Sequence, residues 1–211
     1  SELTEAFQAV CKATVSRAAA AATSAERLPG LAPLFELLVS CSVHLEEALF
    51  CSTYFGSFEQ LSVMALACAD RELNRSVLQF LLKYATSSHL QAQQLFARFV
   101  PTLVVTMLLN FQKWPAATRM HSSNLFSVLL ERYRSQFQES LLHLWRQPGA
   151  QGVHAKLNAE QREACARLFL HLRGPRLKAF LGDLAAVANS AQTFDALLAY
   201  QLVQQAPRST F

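Results

Sequence analysis

The sequence predicts an all-α fold, arranged as an α-solenoid of antiparallel helix pairs. The chain of 211 residues is 52% hydrophobic and only 16% charged, whereas soluble domains are usually about a quarter charged. Glycine and proline are few, and the alternation of Val, Ile or Thr that is typical of strands does not occur. Apolar residues instead recur at helical spacing in paired segments, which is the organisation of helical repeats.

The clearest helix pair is predicted at residues 57–68 and 75–86, joined by a polar turn at 71–74. The first helix is apolar on nearly all sides, Met64 included, so it must be covered on more than one face. The second has an apolar face and one polar stripe, formed by Ser76, Gln79, Lys83 and Thr86. Such a hairpin cannot bury its own surface and needs neighbours stacked on both sides.

The other elements are predicted from apolar spacing and from residues that begin or end helices. The predicted helices are 3–22 before a break at Leu28-Pro29-Gly30, 31–42, a short helix within 43–55, 89–113 bent at Pro101, 122–134, 137–146, 159–172, 175–188 and 194–202. The predicted helix starts include capping residues Ser57, Asn74 and Asn158, Ser122 or Ser123 at a first turn, and the dipeptide Gly174-Pro175, which ends one helix and starts the next.

Helix pairs recurring about every 40 residues have the period of HEAT-like repeats. Residues 1–204 are therefore predicted to form one helical-repeat segment, followed by a loose tail at 205–211. Because the sequence does not begin with Met, we expect a piece of a longer solenoid. A globular helical bundle is the alternative architecture, since helix spacing alone does not determine how helices stack.

The cysteines and the apolar runs indicate an intracellular protein. The five cysteines have no regular spacing, and Cys11, Cys68 and Cys165 lie on apolar sides of predicted helices, where a reduced thiol packs as a small hydrophobe. No signal peptide is predicted, because the first residues are acidic. The longest apolar run, Phe99 to Phe111, is interrupted by polar residues and is shorter than the ~20 residues of a membrane span, so no membrane contact is expected.

Positive charge is concentrated in the second half of the chain. Residues 1–100 carry seven Lys and Arg against nine Asp and Glu, whereas residues 101–211 carry twelve against six, which favours acidic partners without separating protein from nucleic acid. The candidate contact set is Lys156, Arg162, Arg167, Arg173, Arg176 and Lys178. The alternative is a solvated surface whose arginines bind helix C-termini. Arg132 and Arg134 form a similar pair beside Glu131.

The sequence does not indicate a metal site or a catalytic site. Cys41-Ser-Val-His44 and Cys51 superficially suggest metal ligands, but buried thiols and a surface histidine are favoured, because zinc needs four well-spaced ligands. No nucleophile elbow, phosphate-binding loop or zinc-protease helix occurs, so we expect no enzyme, cofactor or metal.

The positions of the aromatic residues favour packing in the core over a binding surface. Phe111, Trp114 and Trp145 could form an interface hot spot, but each falls at a helix end, where closing the core is favoured. Direct nucleic-acid binding is not expected, since Phe169 and Phe180 lie on apolar stripes and not on exposed basic faces.

One segment resembles a known family. The stretch Arg71-Glu-Leu-Asn-Arg-Ser-Val-Leu-Gln-Phe-Leu81 resembles a hairpin near the C-terminal end of the transportin-SR and importin-thirteen branch of the karyopherin-β (importin) family. Leu141-Leu-His-Leu-Trp145, Leu157 to Arg162 and Arg173 to Lys178 are similar to later segments, although Asn158-Ala159 stands where the family has Ser-Pro. The likeness covers about residues 31–190 and is specific around 57–86.

The resemblance implies the C-terminal part of a nuclear transport receptor that binds protein cargo under control of the GTPase Ran and shuttles between nucleus and cytoplasm. In that family Ran binds mainly to N-terminal repeats that are absent here, and nuclear pore proteins are further candidate partners. The second helix of each repeat would line the concave face, namely 75–86, 122–134 and 159–172. The candidate partner-binding residues are Gln79, Lys83, Arg132, Arg134, Arg162, Arg167, Arg173, Arg176 and Lys178.

The alternative function is a HEAT-like scaffold or adaptor in a protein assembly without Ran dependence. The sequence leaves open the cargo, the direction of transport, and whether this segment itself contacts Ran.

Overall fold

The computed structural model describes residues 5, 7–13, 16, 31–68, 70–146 and 151–202, apart from the side chains of 201 and 202. In that part of the chain every regular element is helical, so the all-α prediction is confirmed. Residues 7–13 are helical, and the labelled α-helices are α1 (Leu31–His44), α2 (Glu46–Phe50), α3 (Phe55–Ala67), α4 (Arg71–Thr86), α5 (Leu90–Asn110), α6 (Ala116–Arg132), α7 (Arg134–Arg146), α8 (Ala159–His171), α9 (Gly174–Ala188) and α10 (Asp195–Leu202). A short 3₁₀ helix, Phe111–Lys113, separates α5 from α6.

The chain divides into two compact units, Ser1–Leu103 and Val104–Phe211, and the division falls within α5. A repeat array also divides into groups of neighbouring helices, so the single segment predicted at 1–204 stays a prediction. The predicted break at Leu28-Pro29-Gly30, most of the Pro148–Gly152 loop and the tail at 205–211 lie outside the described residues.

The core of the first unit is a cluster of aromatic rings around Tyr84 of α4. Its ring centroid lies 4.7 Å from that of Phe96 and 4.9 Å from that of Phe55, both edge-on, and 5.4 Å from that of Phe50, stacked. The Tyr84 hydroxyl donates a hydrogen bond of 2.7 Å to the Glu59 carboxylate. Burial raises the pKa of Glu59, and this hydrogen bond partly opposes the shift. Helix α4, which packs on both α1 and α3, is thereby anchored to α3 at its C-terminal end.

The turn between α3 and α4 corrects one predicted cap. Helix α4 begins at Arg71, because the Asp70 carboxylate accepts hydrogen bonds of 2.9 Å from Glu72 N and 3.0 Å from Leu73 N. The prediction that Asn74 caps this helix at Arg75 is wrong. Asn74 is buried inside the first turns, and its Nδ2 donates to Cys68 O at 2.9 Å, which fixes the chain entering the turn.

Helix α3 also begins earlier than predicted. It starts at Phe55, whose ring is buried among Phe50, Phe58 and Tyr84, so ring burial extends the helix one turn beyond the expected cap. The N-cap position is occupied by Tyr54 without a side-chain hydrogen bond, and the prediction that Ser57 caps the helix is wrong.

Two predictions for this helix pair are wrong as well. Met64, on the side of α3 that was predicted to be covered as well, is 36% exposed. Ser76 is buried rather than part of the polar stripe, and its hydroxyl donates to Glu72 O. The apolar face of α4 is buried as predicted, at Val77, Leu78, Leu81, Tyr84 and Ala85.

Helix α6 begins immediately after Trp114-Pro115, at Ala116, and not at Ser122 or Ser123. Both serines are buried inside it, and their hydroxyls donate hydrogen bonds of 2.7 Å to Arg119 O and Met120 O. A serine whose hydroxyl donates to a backbone carbonyl of the preceding turn does not interrupt a helix. The sequence pattern alone could not distinguish this arrangement from a cap.

The core of the second unit is a chain of aromatic rings centred on Phe169 of α8. Its ring centroid lies 5.3 Å from Phe126, 5.4 Å from Phe137, 5.8 Å from Phe180 and 6.3 Å from Trp145. These residues come from α6, α7, α8 and α9, so one side chain joins four helices. Helix α10 packs on α8 and α9, with the Tyr200 hydroxyl donating 2.6 Å to Asp183.

The segment Leu90–Lys113 is long and apolar enough to cross a membrane by length and composition alone, and its most apolar 18-residue window has a mean hydropathy of 1.4. The prediction that no segment is long enough for this is therefore wrong. The helix itself was predicted over 89–113, but the apolar run counted from Phe99 left out Leu95 and Phe96, which precede Arg98 in the same helix. Half of the segment's most apolar window is buried within the fold, and core helices of soluble proteins share this property.

Candidate functional site

Helices α8 and α9 are fixed at their ends by local chemistry. Helix α8 begins with the predicted capping box: Gln161 N donates to the Asn158 side chain at 2.9 Å, and Asn158 N donates to the Gln161 side chain at 3.0 Å. It ends at His171, and α9 begins at Gly174 with Pro175 in its first turn. The prediction that Pro175 lies at the start of a helix is confirmed, whereas Gly174 belongs to that same helix and does not end α8. Gly174 has φ +54°, a conformation that favours glycine.

A groove with a volume of about 680 Å³ lies between α7 and α8. One stripe of each helix lines it, at four-residue and three-residue steps that keep the side chains on one face. The lining residues are Gln138, Leu142, Trp145 and Arg146 from α7, and Ala159, Arg162, Glu163, Ala166, Arg167, Leu170 and His171 from α8. The groove therefore combines an apolar floor with charged rims.

The charge of the groove is positive. Its lining contains three arginines and one glutamate, which leaves a formal charge of +2 with His171 neutral. Glu163 and Arg167 form an ion pair of 3.5 Å, with both side chains about 70% exposed. An exposed pair of this kind contributes less than about 1 kcal/mol, so it can open at little cost.

Beneath the groove, Trp145 stacks on a buried histidine. The Trp145 ring centroid lies 6.1 Å from that of His154, with the ring planes 24° apart. His154 is 1% exposed, and within the described residues neither its ring nitrogens nor Trp145 Nε1 has a hydrogen-bond partner. Burial lowers the pKa of His154, and the positive charge of Arg162 lowers it further. The neutral imidazole is therefore the form that this packing favours.

The loop that carries His154 requires glycine at position 152. Gly152 has φ +96°, and a Cβ there would lie 3.2 Å from both the His154 ring and Leu108 O. Val153 N donates to the same Leu108 carbonyl at 3.2 Å. The loop is thus held against the end of α5 within the second unit. This contact keeps His154 stacked on Trp145, which lines the groove.

Two of the predicted partner-binding residues, Arg162 and Arg167, meet in this groove. The structure adds Arg146, which was missed because it lies at the end of α7, outside the basic set predicted between Lys156 and Lys178. The helical spacing of Leu142, Trp145 and Arg146 placed them on one face, but nothing in the sequence indicated which helix they would face.

Arg134 and Arg173 form a second basic pair. Burial lowers the pKa of Arg173, the charge of Arg134 lowers it further, and Glu131 opposes both effects. The Arg173 guanidinium donates hydrogen bonds to Leu170 O at 2.9 Å and to Leu172 O at 2.6 Å. This is the alternative role weighed for the basic set, an arginine that binds the carbonyls at a helix C-terminus.

The other predicted residues are dispersed. Arg176 donates to Tyr200 O at 3.4 Å, Lys178 is exposed on α9, and Arg132 is exposed at the end of α6. Gln79 and Lys83 are exposed together on α4 of the first unit. Lys156, from the wider basic set, donates to the Ser190 hydroxyl.

The structure shows how far the aromatic residues at helix ends and the cysteines are buried. Phe111, Trp114 and Trp145 are at most 3% exposed, so the prediction that they close the core is confirmed. Of the five cysteines, all unpaired, Cys51 alone is exposed. Burial raises the pKa of the Cys165 thiol to about 12. Within the described residues, no group of three His, Cys, Asp or Glu side chains is placed to hold a metal ion.

Comparisons with known proteins do not assign a family. No protein-family model, no curated protein and no solved structure matches this chain. What the fold and the groove define is an all-α protein with an apolar, positively charged surface groove.

Proposed function

We propose that this chain is a protein-binding segment of HEAT-like repeats that belongs to a nuclear transport receptor, in which Ran controls the binding of protein cargo. The observation that carries the binding part of this proposal is the groove between α7 and α8. The transport part is supported by the resemblance at residues 71–81. A receptor of this kind moves between nucleus and cytoplasm and contacts nuclear pore proteins, and no catalytic activity is proposed.

The composition of the groove suits a protein partner. Its floor offers apolar surface from Leu142 and Leu170, and burial of such surface gives about 25 cal/mol per Å². Its rims carry arginine, which is enriched at protein interfaces because its planar guanidinium binds carboxylates with two hydrogen bonds.

The packing within each unit supports stacking of helix pairs. In the first unit α4 contacts both α1 and α3, and in the second α8 contacts both α7 and α10. A helix covered by neighbours on two sides is what a repeat array requires.

The test is a pull-down with the natural-length protein, with and without Ran locked in its GTP form. We expect Ran-GTP to bind and to change the set of retained proteins. A variant carrying Arg146→Glu and Arg167→Glu should lose part of that set, and Arg98→Glu, an exposed charge reversal outside the groove, should not. Partners that are retained regardless of Ran would make the protein a scaffold without GTPase control. Partners that all survive the groove variant would show that the groove is not the binding surface.

A further inference from the structure

The groove has the length of a short helix. Its lining runs from Ala159 to His171, the full extent of α8, which corresponds to roughly 18 Å at 1.5 Å per residue. Ala159 and Ala166 lie on this face, and their small side chains let another backbone approach closely. A partner helix of about three turns therefore matches the length of the groove.

The charges of the groove indicate the sign of the charge that this partner helix carries. Arg146 and Arg167 are exposed and stand on α7 and α8, the two sides of the groove, while half-buried Arg162 also lines it. Glu163 is the acidic residue of the lining and is already paired with Arg167. A partner carboxylate can replace Glu163 in this pair, because exposed ion pairs are weak and exchange readily.

From this length, apolar floor and charge we infer that the groove binds an acidic amphipathic helix of a partner protein. This inference rests on the proposed function and names the chemistry of the partner. The apolar face of the helix packs on half-buried Leu142 and beside Leu170, with anchors three and four residues apart. Its flanking Glu and Asp side chains bind Arg146 and Arg167.

Other occupants fit less well. Trp145 is only 3% exposed, so it offers no open ring face on which a nucleic-acid base could stack. The C-terminal residues 203–211 of the chain contain Arg208 and no acidic residue, so they do not complement the arginines.

The inference is tested with a synthetic peptide of 16 residues, labelled with fluorescein, that carries Leu at helical spacing on one face and Glu on the other. Fluorescence anisotropy measures its binding to the full chain. We expect binding that weakens with added salt, because the contacts include exposed charges. A control peptide with Gln in place of every Glu should bind at least about tenfold more weakly, and a scrambled peptide should not bind.

Matched variants locate the binding site. Arg146→Glu with Arg167→Glu should weaken peptide binding by more than about tenfold, whereas Arg75→Glu, an exposed charge reversal on α4, should leave it unchanged. Leu142→Gln removes apolar floor and should also weaken binding. All four substitutions are at exposed or half-buried positions, and circular dichroism checks that each variant is folded.

Three results would overturn the inference: no peptide binding, peptide binding that survives the double arginine variant, or preferential binding of a labelled oligouridylate at the same residues. If the pull-down partners depend on Arg146 and Arg167 while the peptide does not bind, the proposed function stands and the helical occupant is wrong. If the peptide binds but the partners do not depend on these arginines, the groove has a ligand and the proposed function loses its support.

Discussion

Substitution of Phe169 by alanine should destabilise the second unit strongly, because this side chain joins four helices. Phe169 is fully buried, and four aromatic rings lie with centroids within 6.3 Å of its own. A buried Phe removes about 150–250 Å² from water, which corresponds to roughly 4–6 kcal/mol at about 25 cal/mol per Å². The retained Cβ lowers this figure and the empty cavity raises it, so we expect a loss of about 3–5 kcal/mol.

Tryptophan fluorescence during urea denaturation of the full chain measures this loss. The chain has two tryptophans, Trp114 and Trp145, both in the second unit, so their emission reports the unit that contains Phe169. Phe169→Leu, which keeps most of the volume, should cost less than about 1.5 kcal/mol. Phe194→Ala, at a half-buried position, serves as the control and should cost less than half as much as Phe169→Ala.

A loss of unfolding free energy below about 1 kcal/mol for Phe169→Ala would refute the reasoning, because a cavity of that size in a close-packed core costs more than this. An unchanged denaturant dependence of the unfolding free energy would show that the loss reflects native packing and not a change in the unfolded chain.

Three further predictions concern the same unit. Asn158→Ala removes the capping box of α8 and should cost about 1 kcal/mol in urea denaturation. The folded state lowers the pKa of His154 below its ordinary 6.5, so the unfolded chain binds its proton more readily. The unfolding free energy should therefore fall as the pH drops below about 6.5, and His154→Phe should reduce this fall. A thiol reagent should modify Cys51 rapidly and Cys165 only on unfolding, since Cys165 is buried with a pKa raised to about 12.

Each of these predictions has a contrary outcome. Equal stability of Asn158→Ala and the parent would mean that the capping hydrogen bonds do not stabilise α8. Identical pH profiles with and without His154 would contradict its burial in the neutral form. Modification of Cys165 at the rate of Cys51 would show that the α8 core opens readily in the native state.

The helices were largely predictable because their signals are local. The Asn158 capping box and the dipeptide Gly174-Pro175 each place a helix start within a few residues of sequence. One of the caps predicted wrongly involves two adequate capping residues close together, Asp70 and Asn74. Which one caps is decided by burial, since Asn74 points inward to the Cys68 carbonyl.

The groove was only partly predictable because its two sides come from separate helices. Arg162 and Arg167 lie on one helix, and their shared face follows from spacing. Arg146 belongs to the preceding helix, and the intervening residues 147–158 give no indication of how the two helices pack. Tertiary packing alone brings the third arginine to the same groove.

The residues with a permanent positive charge that the structure describes in the groove lining are arginines and not lysines, and this determines how binding there could be controlled. Among the described residues that line the groove, the permanent positive charges are all arginines. A guanidinium stays charged throughout the physiological pH range, and lysine acetylation, which removes charge elsewhere, has no target in this lining. Because the arginine charge on this side is constant, the affinity for the proposed partner helix would be set by the number of acidic groups that this helix presents. A change in the partner's own charge would therefore act directly as the switch.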